Sequence, residues 1–202
     1  MKMDRITSAK KNSTRECGRT NFTTFSNPTD RFDTNGLVGD LKLTNERRTV
    51  YLPEPADNYV TLFRETEIEV GKFEWSVRVD KAGDRQAVIG VATGSALAQI
   101  SGKFCDETTG FGYGVNGLFR SGGKITAGKG RDCSLSEEDI LFIRLDLKLK
   151  TLQFAKNGIL LDMVIPRVAP GKYRLAIALV DEGEQYTIVN PTDYLARFAK
   201  VQ

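Results

Sequence analysis

Apolar and polar residues alternate along much of the chain with the two-residue period that puts successive side chains on opposite faces of a β-strand. The clearest case is segment 72–80, whose apolar positions are Phe73, Trp75, Val77 and Val79. Segment 87–92 is instead almost continuously apolar. Such a run predicts a strand that is buried on both faces or central in its sheet.

Turn signals separate these segments. Residues 37–43 and 49–52 predict a hairpin with its turn at 45–48. Two prolines, Pro53 and Pro55, predict a loop after that hairpin, because proline cannot donate to a sheet ladder. Residues 173–179 and 186–189 predict a further strand pair, joined by residues 181–184.

Helical signals are confined to the C-terminus, where Asn190-Pro191 predicts the start of a short helix with Leu195 and Phe198 on one face. Short strands at regular intervals with glycine turns predict an all-β fold, an antiparallel β-sandwich. We expect a flexible basic arm over residues 1–21, the β-sandwich domain over 22–190, and a short helix or tail over 191–202.

Charge is distributed unevenly along the 202 residues. The net charge is +3, and residues 1–20 alone carry six basic and two acidic residues, so the remainder has a net charge of −1. The folded part therefore lacks the electrostatic footprint of a nucleic-acid-binding domain. At 40% hydrophobic residues the chain can bury a sizeable core.

The residue types available restrict the chemistry. The chain has no histidine, which excludes Ser-His-Asp catalysis, Cys-His catalysis and histidine metal ligation. Three widely spaced cysteines fit neither a disulfide framework nor a zinc site. We expect no catalysis, no metal and no cofactor, and reduced thiols in the cytoplasm or nucleus. No apolar run approaches the roughly 20 residues that span a membrane.

Several local motifs imitate functional sites. Residues 112–117 satisfy G-x-G-x-x-G, and residues 123–129 come one residue short of a Walker A loop. Both chemistries require a helix directly after the glycines, and Leu118–Gly123 and Arg131–Ser134 do not predict one. The acids at 137–139 read as an exposed turn, and Trp75 reads as core.

Five motifs follow one another in a characteristic order. They are Gly71 to Trp75-Ser76-Val77, Gly90-Val91-Ala92, Glu138-Asp139-Ile140, Asp146-Leu147, and Thr151-Leu152-Gln153-Phe154-Ala155-Lys156-Asn157-Gly158. Together they resemble the pattern of the SPRY domain family, over roughly residues 25–190. Two positions depart from it: Glu138 stands where the family often has glycine, and the turn at 148–150 lacks its usual glycine.

The resemblance implies a bent, concanavalin-like β-sandwich that binds a short peptide or partner protein through loops at one end. Family members act as substrate-recruiting parts of ubiquitin ligases, as subunits of chromatin and RNA-processing assemblies, and as modules of large channels. By similarity to peptide-binding members, three loops form the site: Pro53, Pro55 and Ala56; Ala98, Gln99 and Ile100; and Val180, Asp181, Glu182 and Gly183.

The third loop departs most from those relatives, which have an aromatic residue beside glycine there. Asp181 and Glu182 instead predict a ligand that carries Lys or Arg. The sequence thus predicts a non-catalytic protein-interaction module, an adaptor or scaffold component. The alternative is a structural or RNA-associated subunit of an intracellular assembly, with RNA contacted by the arm and by Lys124, Lys129 and Arg131.

Overall fold

A computed structural model describes residues 30–35, 40–84, 87–93, 103–106, 108, 110–127 and 133–190. These residues form thirteen β-strands and one 3-10 turn, Phe104–Asp106. The strands are β1 Lys42–Thr44, β2 Thr49–Tyr51, β3 Val60–Phe63, β4 Lys72–Lys81, β5 Val88–Thr93, β6 Gly110–Gly114, β7 Leu118–Ser121, β8 Lys124–Ala127, β9 Ile140–Asp146, β10 Thr151–Lys156, β11 Ile159–Pro166, β12 Tyr173–Leu179 and β13 Gln185–Ile188.

The strands form two antiparallel sheets, which confirms the predicted all-β sandwich. A seven-stranded sheet has the order β1-β2-β13-β4-β9-β10-β11, and a six-stranded sheet has the order β3-β12-β5-β6-β7-β8. Within the described ranges no helix is both long and apolar enough to cross a bilayer. The proposed arm over 1–21 and the C-terminal helix over 191–202 lie outside those ranges.

The main core lies between the two sheets and draws alternate residues from facing strands. Strand β4 contributes Trp75, Val77 and Val79, all at most 2% exposed. Strand β10 contributes Phe154, whose ring centroid lies 5.6 Å from that of Tyr113 in the opposite sheet. The prediction that Trp75 is a core residue is therefore confirmed.

Strand β5 is central, as its apolar run predicts. It lies between β12 and β6, and all six of its residues are buried. Gly90 permits the close approach of β6, since a Cβ atom at this position would lie 2.0 Å from the carbonyl oxygen of Phe111. The glycine of the Gly-Val-Ala motif is thus required by strand packing.

The predicted hairpin turns are present with their expected geometry. Strands β1 and β2 pair around residues 45–48, and β9 ends at Asp146 before a turn that leads into β10 at Thr151. Lys150 adopts a positive φ of 56° in that turn, the conformation that glycine would adopt at least cost. The Asn157-Gly158 turn has φ values of 51° and 82°.

The predicted pairing of segments 173–179 and 186–189 is wrong. Strand β12 pairs with β3 and β5 in the six-stranded sheet, whereas β13 pairs with β2 and β4 in the seven-stranded sheet. The connection between them therefore crosses from one sheet to the other at one end of the sandwich. Alternation of apolar residues describes each strand but carries no information about which sheet receives it.

Candidate partner-binding loops

The structure brings together two of the three loops that the sequence nominated. The backbone N–H of Ala56 donates to the carbonyl oxygen of Val180 at 3.1 Å, and that of Gly183 donates to the carbonyl oxygen of Leu52 at 2.7 Å. A third backbone bond joins Leu52 N–H to the carbonyl oxygen of Glu184 at 3.0 Å. We call residues 53–56 and 180–183 together the paired loops.

Exposure differs among the nominated side chains of the paired loops. Pro55 and Glu182 are exposed, while Pro53, Ala56 and Asp181 are half-buried. Val180 and Gly183 are buried. They therefore contribute to the structure of the paired loops through their backbone groups and through packing. The remaining nominated residues, Ala98, Gln99 and Ile100, lie outside the described residues.

A buried carboxylate, Glu184, fixes the shape of the second paired loop. The side chain is 0% exposed. Its Oε2 accepts the backbone N–H groups of Val180 at 2.6 Å and Asp181 at 3.0 Å. Its Oε1 accepts the N–H of Ala87 at 3.2 Å and the hydroxyl of Tyr186 at 3.4 Å.

Burial shifts the protonation equilibrium of this carboxyl group. Desolvation raises the pKa of Glu184, and the negative charge of Asp181 adds to this effect, while the backbone N–H groups oppose it. The same surroundings raise the pKa of Tyr186, first through its own burial and then through Glu184. Glu184 therefore joins the second paired loop, β5 and β13 in one hydrogen-bond network. The sequence predicted only that this residue lies in the connecting turn 181–184.

The connection between β4 and β5 lies directly against the second paired loop. A Cβ atom at Gly83 would lie 2.4 Å from the Cβ of Asp181, so the Asp181 side chain rests on this glycine. Gly183 has a φ of 77°, and a Cβ atom there would lie 2.2 Å from the Nζ of Lys81. The Lys81 ammonium group is thus a cation adjacent to the loop.

Carboxylates predominate on and beside the paired loops. Glu54 lies within the first paired loop, residues 53–56, and Asp57 is the residue directly after this loop. Both side chains are exposed. Asp181 and Glu182 belong to the second loop. Among the residues described at these loops, the four carboxylates outnumber the neighbouring cation Lys81, a charge balance that attracts cationic groups.

The motifs that imitate catalytic or nucleotide sites take structural roles. Gly110–Gly114 is strand β6, and a turn then leads into β7 rather than into a helix. Segment 124–127 is the short strand β8, on which Lys124 is exposed. The other two cations of the proposed RNA contact, Lys129 and Arg131, lie outside the described residues.

The acidic turn at 137–139 stabilises the fold locally. Glu137 and Glu138 are exposed. Asp139 accepts the N–H of Ser136 at 2.7 Å and the Asn157 amide at 2.6 Å, and it pairs with Lys156 at 2.8 Å. Burial opposes ionisation of Asp139, but these donors outweigh it and lower its pKa. Among the residues described, no group of three potential metal ligands converges.

Comparison with known proteins gives matches at the level of structure. No protein-family model and no curated protein sequence matches the chain. The crystal structure of the SPRY domain of human HERC1 matches with a TM-score of 0.62 at 16% identity, covering 79% of this chain and 97% of that one.

The PSpry domain of TRIM65 matches with a TM-score of 0.61 at 14% identity, covering 79% of this chain and 89% of its own. Both matches span nearly the whole of the solved domains and most of the sandwich. These structural matches agree with the family resemblance that the order of motifs in the sequence indicates. The chain therefore has the fold of SPRY domains.

Proposed function

We propose that this protein is a non-catalytic interaction module that binds a short peptide segment of a partner protein at the paired loops. The observation that carries the proposal is the set of three backbone hydrogen bonds that joins residues 52–56 to residues 180–184. Such bonds hold both loops in place before a ligand arrives, which lowers the entropic cost of binding. SPRY-fold similarity supports the same conclusion.

The composition of the paired loops favours a ligand that carries Lys or Arg. In the second paired loop, Glu182 is exposed and Asp181 is half-buried. Glu54 lies in the first paired loop, and Asp57 lies directly after it. Charged groups at the rim of an interface contribute to specificity and association rate through complementary potentials. The prolines offer apolar contact area without the conformational entropy of a long side chain.

Selection from a random peptide library tests this proposal. Peptides captured by the wild-type chain are sequenced and then measured by fluorescence anisotropy against an Asp181→Ala/Glu182→Ala variant. We expect enrichment of Lys and Arg, and about 5- to 30-fold weaker binding by the variant, from roughly 0.5–1 kcal/mol for each of the two partly exposed charges. Peptides without basic residues, or equal affinity for both proteins, would contradict the proposal.

A matched control removes two carboxylates elsewhere. Glu46 and Glu137 are both exposed and lie outside the paired loops, Glu46 in the turn between β1 and β2 and Glu137 in the turn before β9. The Glu46→Ala/Glu137→Ala variant has the same net charge as the loop variant. It should retain wild-type affinity at physiological ionic strength, where exposed charges separated by more than about 8 Å are screened.

A further inference from the structure

Three connections meet at the end of the sandwich that lies opposite the paired loops. Strand β4 runs from Lys72 to Lys81, and Lys81 is the residue that lies beside Gly183 of the second paired loop. At about 3.3 Å per residue, the two ends of this strand are about 30 Å apart. A site at the Lys72 end is therefore separate from the proposed peptide site.

Backbone hydrogen bonds hold the three connections side by side. The N–H of Leu147, in the turn after β9, donates to the carbonyl oxygen of Gly71 at 2.9 Å, and the N–H of Val168, after β11, donates to that of Lys150 at 2.9 Å. A β-bridge at Ile68 joins the segment before β4 to the first residue of β12. We call the residues of these three connections the basic end: 69–72, 147–150 and 167–172.

The basic end carries two strongly exposed apolar side chains. Val70 is 76% exposed and Leu149 is 70% exposed, more than any other large apolar side chain that the structure describes. The hydrogen bond between the neighbouring residues Gly71 and Leu147 places both side chains at the same end of the seven-stranded sheet. Exposed apolar groups gathered in one region mark a surface that another apolar phase can cover.

Exposed cations accompany these two apolar side chains. Lys148 and Lys150 stand on either side of Leu149 in the chain, and all three are exposed. The exposed cations of the basic end are Lys72, Lys148, Lys150, Arg167 and Lys172. Each connection thus supplies at least one cation.

Carboxylates of this region are fewer or already paired. Glu69 belongs to the basic end, and Asp146 directly precedes it. Glu67 and Glu74, on either side of residues 69–72, form ion pairs with arginines that lie outside the basic end. Five cations therefore stand against two carboxylates, a positive balance that attracts anionic groups.

We propose that the basic end attaches the protein to the surface of a membrane that contains anionic lipids. Val70 and Leu149 enter the boundary between headgroups and acyl chains, while the lysines contact headgroup phosphates. A protein partner fits this surface less well, because protein interfaces are depleted of lysine and gather their apolar side chains at the centre. Here a lysine stands on each side of Leu149.

Such attachment has a consequence for the opposite end of the sandwich. The paired loops would lie about 30 Å from the bilayer surface, at the far end of the ten-residue strand β4. They would therefore stay accessible to a partner while the protein is bound to the membrane. Attachment of this kind places side chains in the interface and requires no membrane-spanning segment.

Vesicle flotation of the full chain tests this proposal. We expect at least ten-fold stronger binding to phosphatidylcholine vesicles that contain about 30 mol% phosphatidylserine than to phosphatidylcholine alone. The Lys148→Gln/Lys150→Gln variant should bind the mixed vesicles about 25-fold more weakly, since each lysine near an anionic surface contributes about five-fold. Equal binding to both kinds of vesicle, or wild-type binding by this variant, would overturn the proposal.

A matched control removes two exposed lysines at the paired-loop end. Lys42 and Lys81 lie in one row of the seven-stranded sheet, because Tyr51 pairs with Lys42 and with Gln185, which pairs with Lys81. Lys42→Gln/Lys81→Gln has the same net charge as Lys148→Gln/Lys150→Gln and should bind vesicles like the wild type. Both variants keep residues 1–20, so the basic charge of that segment is the same in each. Equal losses in the two variants would overturn the proposal.

Substitution of the apolar side chains separates insertion from simple charge attraction. Val70→Ser/Leu149→Ser should weaken binding to the mixed vesicles at least ten-fold, because each methylene that enters the acyl region contributes about four-fold. The control Ile125→Ser/Ile159→Ser truncates two exposed side chains outside the basic end and should bind like the wild type. Thermal unfolding should be the same in both variants. Wild-type vesicle binding by Val70→Ser/Leu149→Ser would overturn the proposal.

Two last measurements distinguish this surface from a protein-binding site. The Asp181→Ala/Glu182→Ala variant should bind vesicles as the wild type does, and this result would separate the basic end from the paired loops. A peptide of alternating Glu and Leu serves as the probe for an acidic protein segment, with binding measured by fluorescence anisotropy. Binding of this peptide that depends on Lys148 and Lys150, together with no binding to vesicles, would assign the surface to a protein and overturn the proposal.

Discussion

The backbone N–H of Ala56 donates to the carbonyl oxygen of Val180 at 3.1 Å and thereby ties the loop after β2 to the loop between β12 and β13. Each loop follows a strand of a different sheet, since β2 belongs to the seven-stranded sheet and β12 to the six-stranded one. The bond therefore closes one end of the sandwich. It also holds the two loops side by side.

Replacement of Glu184 should destabilise the protein and loosen the second paired loop. Glu184→Ala leaves the N–H groups of Val180, Asp181 and Ala87 without their acceptor, and we expect a loss of about 2–4 kcal/mol. Glu184→Gln keeps one acceptor oxygen and should cost about 1–2 kcal/mol. Urea unfolding at pH 7 measures both values, and equal losses would contradict the assigned hydrogen bonds.

Because the pKa of Glu184 is raised, the stability difference between the wild type and Glu184→Gln should depend on pH. Because the folded protein holds the proton more tightly than the unfolded chain, the contribution of Glu184 is greatest below its ordinary pKa of 4.5. It is lost as pH rises through the folded-state pKa. The difference in unfolding free energy between wild type and Glu184→Gln should therefore decrease as pH rises above about 4.5. A constant difference would contradict this.

Gly90→Ala should be among the most damaging single methyl additions in the sheet core. The new Cβ would lie 2.0 Å from the carbonyl oxygen of Phe111, so β5 and β6 would have to separate. We expect a loss of at least about 3 kcal/mol, by analogy with overpacked cores. Gly171→Ala is the control, because its Cβ would meet the Cγ2 of Thr93 at 2.9 Å, a side-chain atom. Thermal unfolding should rank the two variants in that order.

Lys150→Gly should stabilise the protein. Lys150 has a φ of 56° in the turn between β9 and β10, where an L-residue pays about 1–2 kcal/mol. Glycine removes this cost but adds about 0.5–1 kcal/mol of backbone entropy, so a net gain of about 0.5–1 kcal/mol is expected. Chemical denaturation measures it. The neighbouring Lys148→Gly brings only the entropic cost, and a gain in that variant would argue against the explanation.

Asp139→Asn should lose stability at neutral pH and much less at acidic pH. The lowered pKa of Asp139 means that its stabilising contribution is present above its ordinary value of 3.8 and is lost as pH falls through the folded-state value. At pH 7 we expect the variant to be about 1–2 kcal/mol less stable, since charged hydrogen bonds to Lys156, Asn157 and Ser136 are weakened. Unfolding curves at several pH values check that the gap narrows below pH 4. Glu137→Gln, exposed in the same turn, is the matched control, because it leaves the hydrogen bonds of Asp139 in place.

Local features of the sandwich followed directly from the sequence. The period of two in β4 specified which residues face the core, and the continuous apolar run of β5 specified a central strand. The turn at Lys148–Lys150 came from the resemblance rather than from periodicity, because Leu145, Leu147 and Leu149 alternate without a break. The structure shows Leu145 buried and Leu149 70% exposed, as a turn requires.

Relations between distant segments followed from tertiary structure alone. The sequence by itself determined the strand periodicity, the glycine turns, the absence of histidine and the uneven charge, because each is a property of neighbouring residues. It did not determine that β12 and β13 enter different sheets, nor that Glu184 binds Val180, Asp181 and Ala87 at once. Those contacts depend on how two sheets pack, and the free energy of that packing is shared among many residues far apart in the chain.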